Sequence, residues 1–177
     1  MQPQSVDPVK LLVAILWARS EPLNAAIECL ESNWGEIDFS GDDYSFDVTG
    51  YYETEMGKDL HRRIVSFLNP VSPDCLISAK HKCNEVENVL ADEQGRRVNL
   101  DIGYLDHNKI VLASFKGAGQ KIYLGDGVWA DLVGRYRQGR YAPFEWTFPD
   151  FRDGRYDAEL RQIRQIYLAQ LRKYKFR

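Results

Sequence analysis

KLLVAILWA, residues 10–18, decides how the rest of the chain is read. Eight apolar residues follow Lys10 without a polar break. A strand wetted on one face would alternate, and a surface helix would show a polar stripe. A short unbroken run therefore reads as a strand covered on both faces. It is too short to span a bilayer, which takes about 20 residues. Asp7 before it and Arg19-Ser20-Glu21 after it make poor signal-peptide grammar.

The sequence on its C-terminal side reads as a helix and then further strands. Ser20 reads as an N-cap with Pro22 in the first turn. Leu23, Ala26, Ile27, Leu30 and Trp34 recur at helical spacing, and Gly35 closes the helix. Short strands are expected over 36–39 and in YSFDVT, 44–49. GYYETEMGKDL, 50–60, reads as a loop with a helical turn, and HRRIVSFLNPV, 61–71, as a strand. Ser72-Pro73 starts a second helix whose stripe is Leu76, Ala79, Cys83, Val86 and Leu90. The order β-α-β, β-α-β is that of a ferredoxin-like split βαβ unit.

Strand grammar then dominates: residues 97–105, 109–116, 120–124, 128–136 and 141–146, separated by DHN, GAG, GDG and RQG, which read as hairpin turns. Asp150 or Asp153 can cap a closing helix with Tyr156, Leu160, Ile163, Tyr167, Leu171 and Tyr174 in one stripe. Trp146, Phe148 and Phe151 read as apolar anchors of the crossover into it. The fold class expected is α+β: a ferredoxin-like βαββαβ start, extended by an antiparallel β-meander, with a C-terminal helix packed on the sheet. Residues 1–177 read as one domain, with 1–8 a loose lead-in.

Of 177 residues, 44% are hydrophobic and 28% charged, a globular composition that argues against disorder. The net charge of −3 is uneven: residues 1–60 hold three basic and twelve acidic side chains, whereas 152–177 hold eight basic and three acidic. Three cysteines, an odd number without paired spacing, read as free thiols in a reducing cytoplasm.

GRRVNLDIGYL, 95–105, carries the most suggestive polar row. At period two, Val98, Leu100, Ile102 and Tyr104 point one way and Arg97, Asn99 and Asp101 the other, before a bare Gly103. With Arg63 from a neighbouring strand, such a row suits a phosphate or carboxylate ligand, walled by Tyr104 or Tyr52 and with Lys109 adding charge. The same row also suits a wet, salt-bridged sheet face. Asp47, Tyr51, Tyr52, Glu53 and Glu55 form an acidic and aromatic patch in an irregular segment. If there is chemistry, Asp101 or Glu55 is the acid–base candidate. Arg135, Arg137 and Arg140, alternating with Tyr136 and Tyr141, lead into a basic terminal helix with Arg161, Arg164, Arg172, Lys173, Lys175 and Arg177. This is the pattern of a single-strand nucleic-acid binder. The pI of 5.7 argues against that reading.

No G-x-x-x-x-G-K-[ST] loop is present: MGKD, 56–59, has a Gly-Lys pair without the glycine-rich cradle. Cys75, His81 and Cys83 spread around their helix, so no metal site is read from them.

Several long stretches, SFDVTGYYETEMG, RRIVSF, RRVNLDIGYL, KIVLASFK, KIYLGDGVWADLVGRYRQGRY and WTFPDFR, resemble the bacterial domain-of-unknown-function family 4416, as does the opening PVKLLVAIL. The resemblance implies a bacterial, cytoplasmic, single-domain protein. It carries over no activity and no site residue. From the residues themselves, the leading expectation is a small anionic ligand, such as a nucleotide or other phosphate compound, held by Arg63, Arg97, Asn99, Asp101, Tyr104 and Lys109. An RNA-binding module and an oligomeric scaffold are the alternatives. Cofactor, reaction and oligomeric state are left open.

Overall fold

The computed structural model describes residues 1–2 and 4–175, with side chains up to Lys173 in the last helix. Tyr174, Lys175 and Arg177, which the sequence places on that helix, lie outside the described side chains.

Among the described residues, nine strands join one antiparallel sheet. Strand β1, Lys10–Trp17, is central and buried along nearly its whole length. Helix α1, Ser20–Trp34, follows, then β2, Ile37–Ser40, the two-residue β3, Tyr44–Ser45, and a single helical turn α2, Glu53–Met56. Next come β4, His61–Phe67, a 3₁₀ turn at Pro73–Cys75, α3, Leu76–Val89, and β5, Val98–Leu105. The order β2-β4-β1-β5, with β1 antiparallel to both neighbours, is the ferredoxin-like arrangement.

Strands β6, Lys109–Ser114, β7, Ile122–Gly125, β8, Val128–Arg137, and β9, Arg140–Pro143, extend the sheet beyond β5. The long β8 lies between β6 on one side and both β7 and β9 on the other. The chain from β6 to β7 therefore has to cross the start of β8, through residues 115–121. Asp126-Gly127 and Gln138-Gly139 take positive φ at both central positions, as two-residue type I′ hairpins require. The short α4, Pro149–Arg152, and the long α5, Asp157–Lys175, close the chain.

Alternation along β1 sends Leu11, Val13 and Ile15 toward α1 and α3, and Leu12 and Ala14 toward α5. The first face meets Leu23, Ala26 and Leu30 of α1 and Leu76, Ala79, Cys83 and Val86 of α3. The second meets Tyr156 and, on α5, Leu160, Ile163, Tyr167 and Leu171. The unbroken apolar run of β1 thus reflects cover on both sides. Lys10 is buried at its end, where it pairs with Asp38 and donates to Phe67 O at 2.6 Å and Gln170 Oε1 at 2.9 Å, fastening α5 to the sheet.

Two expected caps differ. Ser20 is the first helical residue and makes no side-chain cap, because Arg19 occupies the N-cap position. Asp150 is fully buried instead of capping, and pairs with Arg62 at 2.9 Å. The expected strand over 44–49 shrinks to β3, since Phe46 turns inward against Leu16, Met56 and Leu60.

Candidate functional site: a fork in the sheet

Strands β5 and β6 pair only through Gly103, Tyr104 and Leu105, opposite Leu112, Val111 and Ile110. Beyond Gly103 the two strands part, with β5 staying on β1 and β6 staying on β8. Gly103 sits at the crotch, where a Cβ would overlap the Val111 carbonyl oxygen and Leu112. Only glycine permits this close crossing of backbones.

The parted edge of β5 is not left bare. Leu100 N–H donates to Glu87 Oε1 at 2.6 Å, and Lys80 Nζ donates to Leu100 O at 3.3 Å. Two side chains of α3, seven residues apart and on one helix face, thus replace the missing strand. Burial pushes the Glu87 carboxyl above its ordinary range, against the opposing pull of Lys80 and of the Leu100 amide.

The fork opens into a cavity of 510 Å³. Lys80, Asn84 and Glu87 enter it from the α3 side, and Asn99 and Asp101 from the opposite face of β5. Lys116 and Lys121, on the crossing segment, line it from the β6 side, Lys121 paired with Asp131 at 3.5 Å, and Arg96 lines it from the β5 side. Tyr51, Phe115 and Phe148 stand at the mouth with 63%, 39% and 48% of their surfaces exposed. Exposed aromatics gathered at one opening mark a contact site more strongly than scattered ones do. Lys116 spans the mouth, donating to the Tyr51 hydroxyl at 3.1 Å.

Among the described residues, neither Lys80 nor Lys116 is in salt-bridge contact with a carboxylate: Lys80 donates to Leu100 O and acts on Glu87 only at longer range, and Lys116 donates to the Tyr51 hydroxyl. Arg96 is held rigidly: Glu55 accepts from its Nε and Nη2, both at 2.8 Å, and Nη1 donates to Asn99 Oδ1 at 2.8 Å. This fork-to-fork contact draws the Glu55 carboxyl below its ordinary range and raises the guanidinium further above its own. Gly95, at φ +123°, makes room for Glu55 beneath Arg96. Tyr52 packs nearby, its hydroxyl pushed up to about 12 by burial and by the Asp101 charge.

A smaller annex of 80 Å³ continues past Asp101 to Arg62. That arginine is 2% exposed, pairs with Asp101 at 3.1 Å and Asp150 at 2.9 Å, and lies between the rings of Phe46 and Phe151. Burial opposes its charge, but the two carboxylates outweigh it and hold the guanidinium above its ordinary value.

Of the residues expected from the sequence, Asn99, Asp101 and Tyr52 meet at the cleft, and Glu55 orients Arg96 there. The others lie elsewhere. Arg63 falls opposite Ile15, on the far face of the sheet, and is clamped by Asp43 at 2.7 Å; it is Arg62, opposite Leu16, that shares the row of Asn99. Arg97 precedes β5 and pairs with Glu21 at 3.0 Å and Asp92 at 3.6 Å. Tyr104 packs on the α1 and α3 side, and Lys109 pairs with Asp106. Asp47 pairs with Arg155 at 3.1 Å.

Lys80, Glu87, Arg96, Lys116 and Lys121 were not anticipated. One signal for two of them was available: Lys80 and Glu87 follow Ala79 and Val86 directly, inside the buried stripe of α3. A charged residue repeated at a core-facing position asks for a polar partner inside.

In the basic hairpin, Arg135 and Arg137 are exposed, and Arg140 pairs with Asp157 at 3.3 Å. The neighbouring tyrosines are not free to stack on bases: Tyr141 is buried, and Arg164 lies 3.5 Å over the Tyr136 ring. Among the described residues no cluster of three or more His, Cys, Asp or Glu is placed to hold a metal, and no helix is long and apolar enough to cross a membrane. All three cysteines are free thiols.

No curated protein and no solved structure matches the chain significantly. A family model does, over residues 7–167, a span that takes in the whole fork: the chain belongs to the family described as Domain of unknown function (DUF4416).

Proposed function

We propose that the protein binds a small anionic ligand, a nucleotide or related phosphate compound, in the cleft between β5 and β6. One observation carries the reading: a cavity within the ordinary size range for small-molecule sites is lined by Lys80 and Lys116, neither of them in salt-bridge contact with a carboxylate among the described residues, and rimmed by three exposed aromatic rings. A planar group suits the rings, and an anion suits Lys80 and Lys116, with Lys121 and Arg96 beside them. A peptide strand does not suit the fork, because Glu87 and Lys80 already occupy the Leu100 amide and carbonyl that such a strand would need.

The basic hairpin supports an RNA reading less well, since its tyrosines are committed to packing. The test is a thermal-shift series with inorganic phosphate, sugar phosphates and nucleoside monophosphates on the native chain, Lys116→Gln and Arg135→Gln. At about a hundred times its Kd, a ligand adds roughly 2.7 kcal/mol to the folded state. That corresponds to about 5–10 °C in Tm for a chain of this size. The shift should fall in Lys116→Gln and persist in Arg135→Gln. The opposite pattern, or no shift with any compound, contradicts the proposal.

A further inference from the structure

The cleft holds a buried hydrogen-bond donor without a partner and a carboxylate that meets the same guanidinium. Asn99 is 5% exposed, and its Nδ2 is buried without a partner. Its orientation is set, because Oδ1 accepts from Arg96 Nη1, which Glu55 holds in place. The donor end of the amide is therefore the end left free. A buried donor without a partner forfeits its hydration, so an arrangement of three residues that keeps one is costly unless something accepts from it.

Glu87 is the neighbour. Its Oε1 is taken by the Leu100 amide, next in sequence to Asn99. Its Oε2 forms an ion pair, at 3.9 Å, with the same Arg96 Nη1 that bonds Asn99. Amide and carboxylate thus converge on one guanidinium nitrogen and both line the cavity.

Resting on the binding reading above, we infer that Asn99 and Glu87 together read a cyclic-amide edge, a ring C=O adjacent to a ring N–H. Asn99 Nδ2 donates to the ring carbonyl and Glu87 Oε2 accepts from the ring N–H. Arg96 carries neither contact itself; it is the positioning residue that fixes both. The aromatic mouth and Lys116 then take the rest of the molecule, a planar ring bearing an anionic tail. A ring with an unprotonated nitrogen and an exocyclic amine in the same places presents its polarity reversed, and leaves both protein groups mismatched.

Two probes differ in little else: inosine 5′-monophosphate carries the cyclic amide, adenosine 5′-monophosphate the reversed edge. Calorimetric titration of the native chain should show the inosine compound binding at least about tenfold more tightly. In Glu87→Gln, the Leu100 amide holds the side-chain carbonyl and turns the new amine toward the cleft. An acceptor becomes a donor, so the preference should vanish or reverse. Circular dichroism and the melting curve confirm that the variant is folded. Equal binding of the two probes overturns the inference and leaves the cleft as a site. So does a preference unchanged in Glu87→Gln, and so does binding of sugar phosphates with neither nucleotide. If no phosphate compound binds at all, the binding reading falls and the inference falls with it.

Discussion

Glu87 accepts the Leu100 amide at 2.6 Å, so a helix side chain, not a strand, satisfies the edge of β5 where β6 leaves it. The sheet can then split without stranding a buried backbone group, and the split is what makes the cavity. A buried carboxyl in this position works against stability, because burial favours its neutral form.

That cost has a measurable sign. The carboxyl's value is raised on folding, so the native chain is most stable, relative to a neutral replacement, below the ordinary carboxyl value of 4.5. The advantage is lost as pH rises from there through the raised value. Glu87→Gln keeps an acceptor for Leu100 and removes the charge. It should melt higher than the native chain at neutral pH, by about 2–4 °C for each kcal/mol recovered, with the difference shrinking toward pH 4. Paired melting curves across pH check this. A Tm that falls at neutral pH contradicts it.

Gly103 fixes where the fork begins. Gly103→Ala drives a Cβ into the Val111 carbonyl and Leu112, so β5 and β6 must separate at the three residues that join them. Urea denaturation should show a loss of about 1–3 kcal/mol. An unchanged midpoint would mean that the strands do not cross as described.

Arg62 ties the annex to α4. Arg62→Ala leaves Asp101 and the fully buried Asp150 without their cation, and should cost about 3–5 kcal/mol. Adding Asp150→Asn should recover part of that loss, since the uncompensated charge goes with it. If the double variant is no better than the single one, the loss comes from packing against Phe46 and Phe151 instead.

Cys83 lies in the core between α3 and the sheet, and burial pushes its thiol well above the ordinary range. Titration of the native protein with a thiol reagent should count Cys29 first, Cys75 more slowly because burial and Asp74 raise its thiol too, and the third only after unfolding. Three groups at one fast rate contradict the placement of α3.

Fold and site were legible to different degrees, for a physical reason. The run 10–18, the stripes of α1 and α3 and the Gly-marked hairpins record burial and turn geometry, which act locally and leave periodic patterns. The ferredoxin-like order followed from them. Asn99 and Asp101 were also readable, because alternation along one strand fixes their face. Their partners were not. Choosing Arg62 over Arg63 depends on the register between β1 and β4, and a slip of one residue exchanges the faces. Arg96 reaches the site from just outside β5, where period two no longer applies. Lys116 and Lys121 arrive on a segment whose path depends on β7 lying beyond β8, which no local pattern records.

The central claim is that the fork between β5 and β6 is a ligand site, and an amide-resolved NMR titration of ¹⁵N-labelled protein tests it most directly. An equimolar mixture of nucleoside monophosphates and sugar phosphates is added stepwise. The account predicts saturable shifts of the Leu100 amide, the Asn99 side-chain amide and residues 115–121, with the hairpin from Arg135 to Arg140 unmoved. Shifts confined to that hairpin, or no shifts at all, would contradict it.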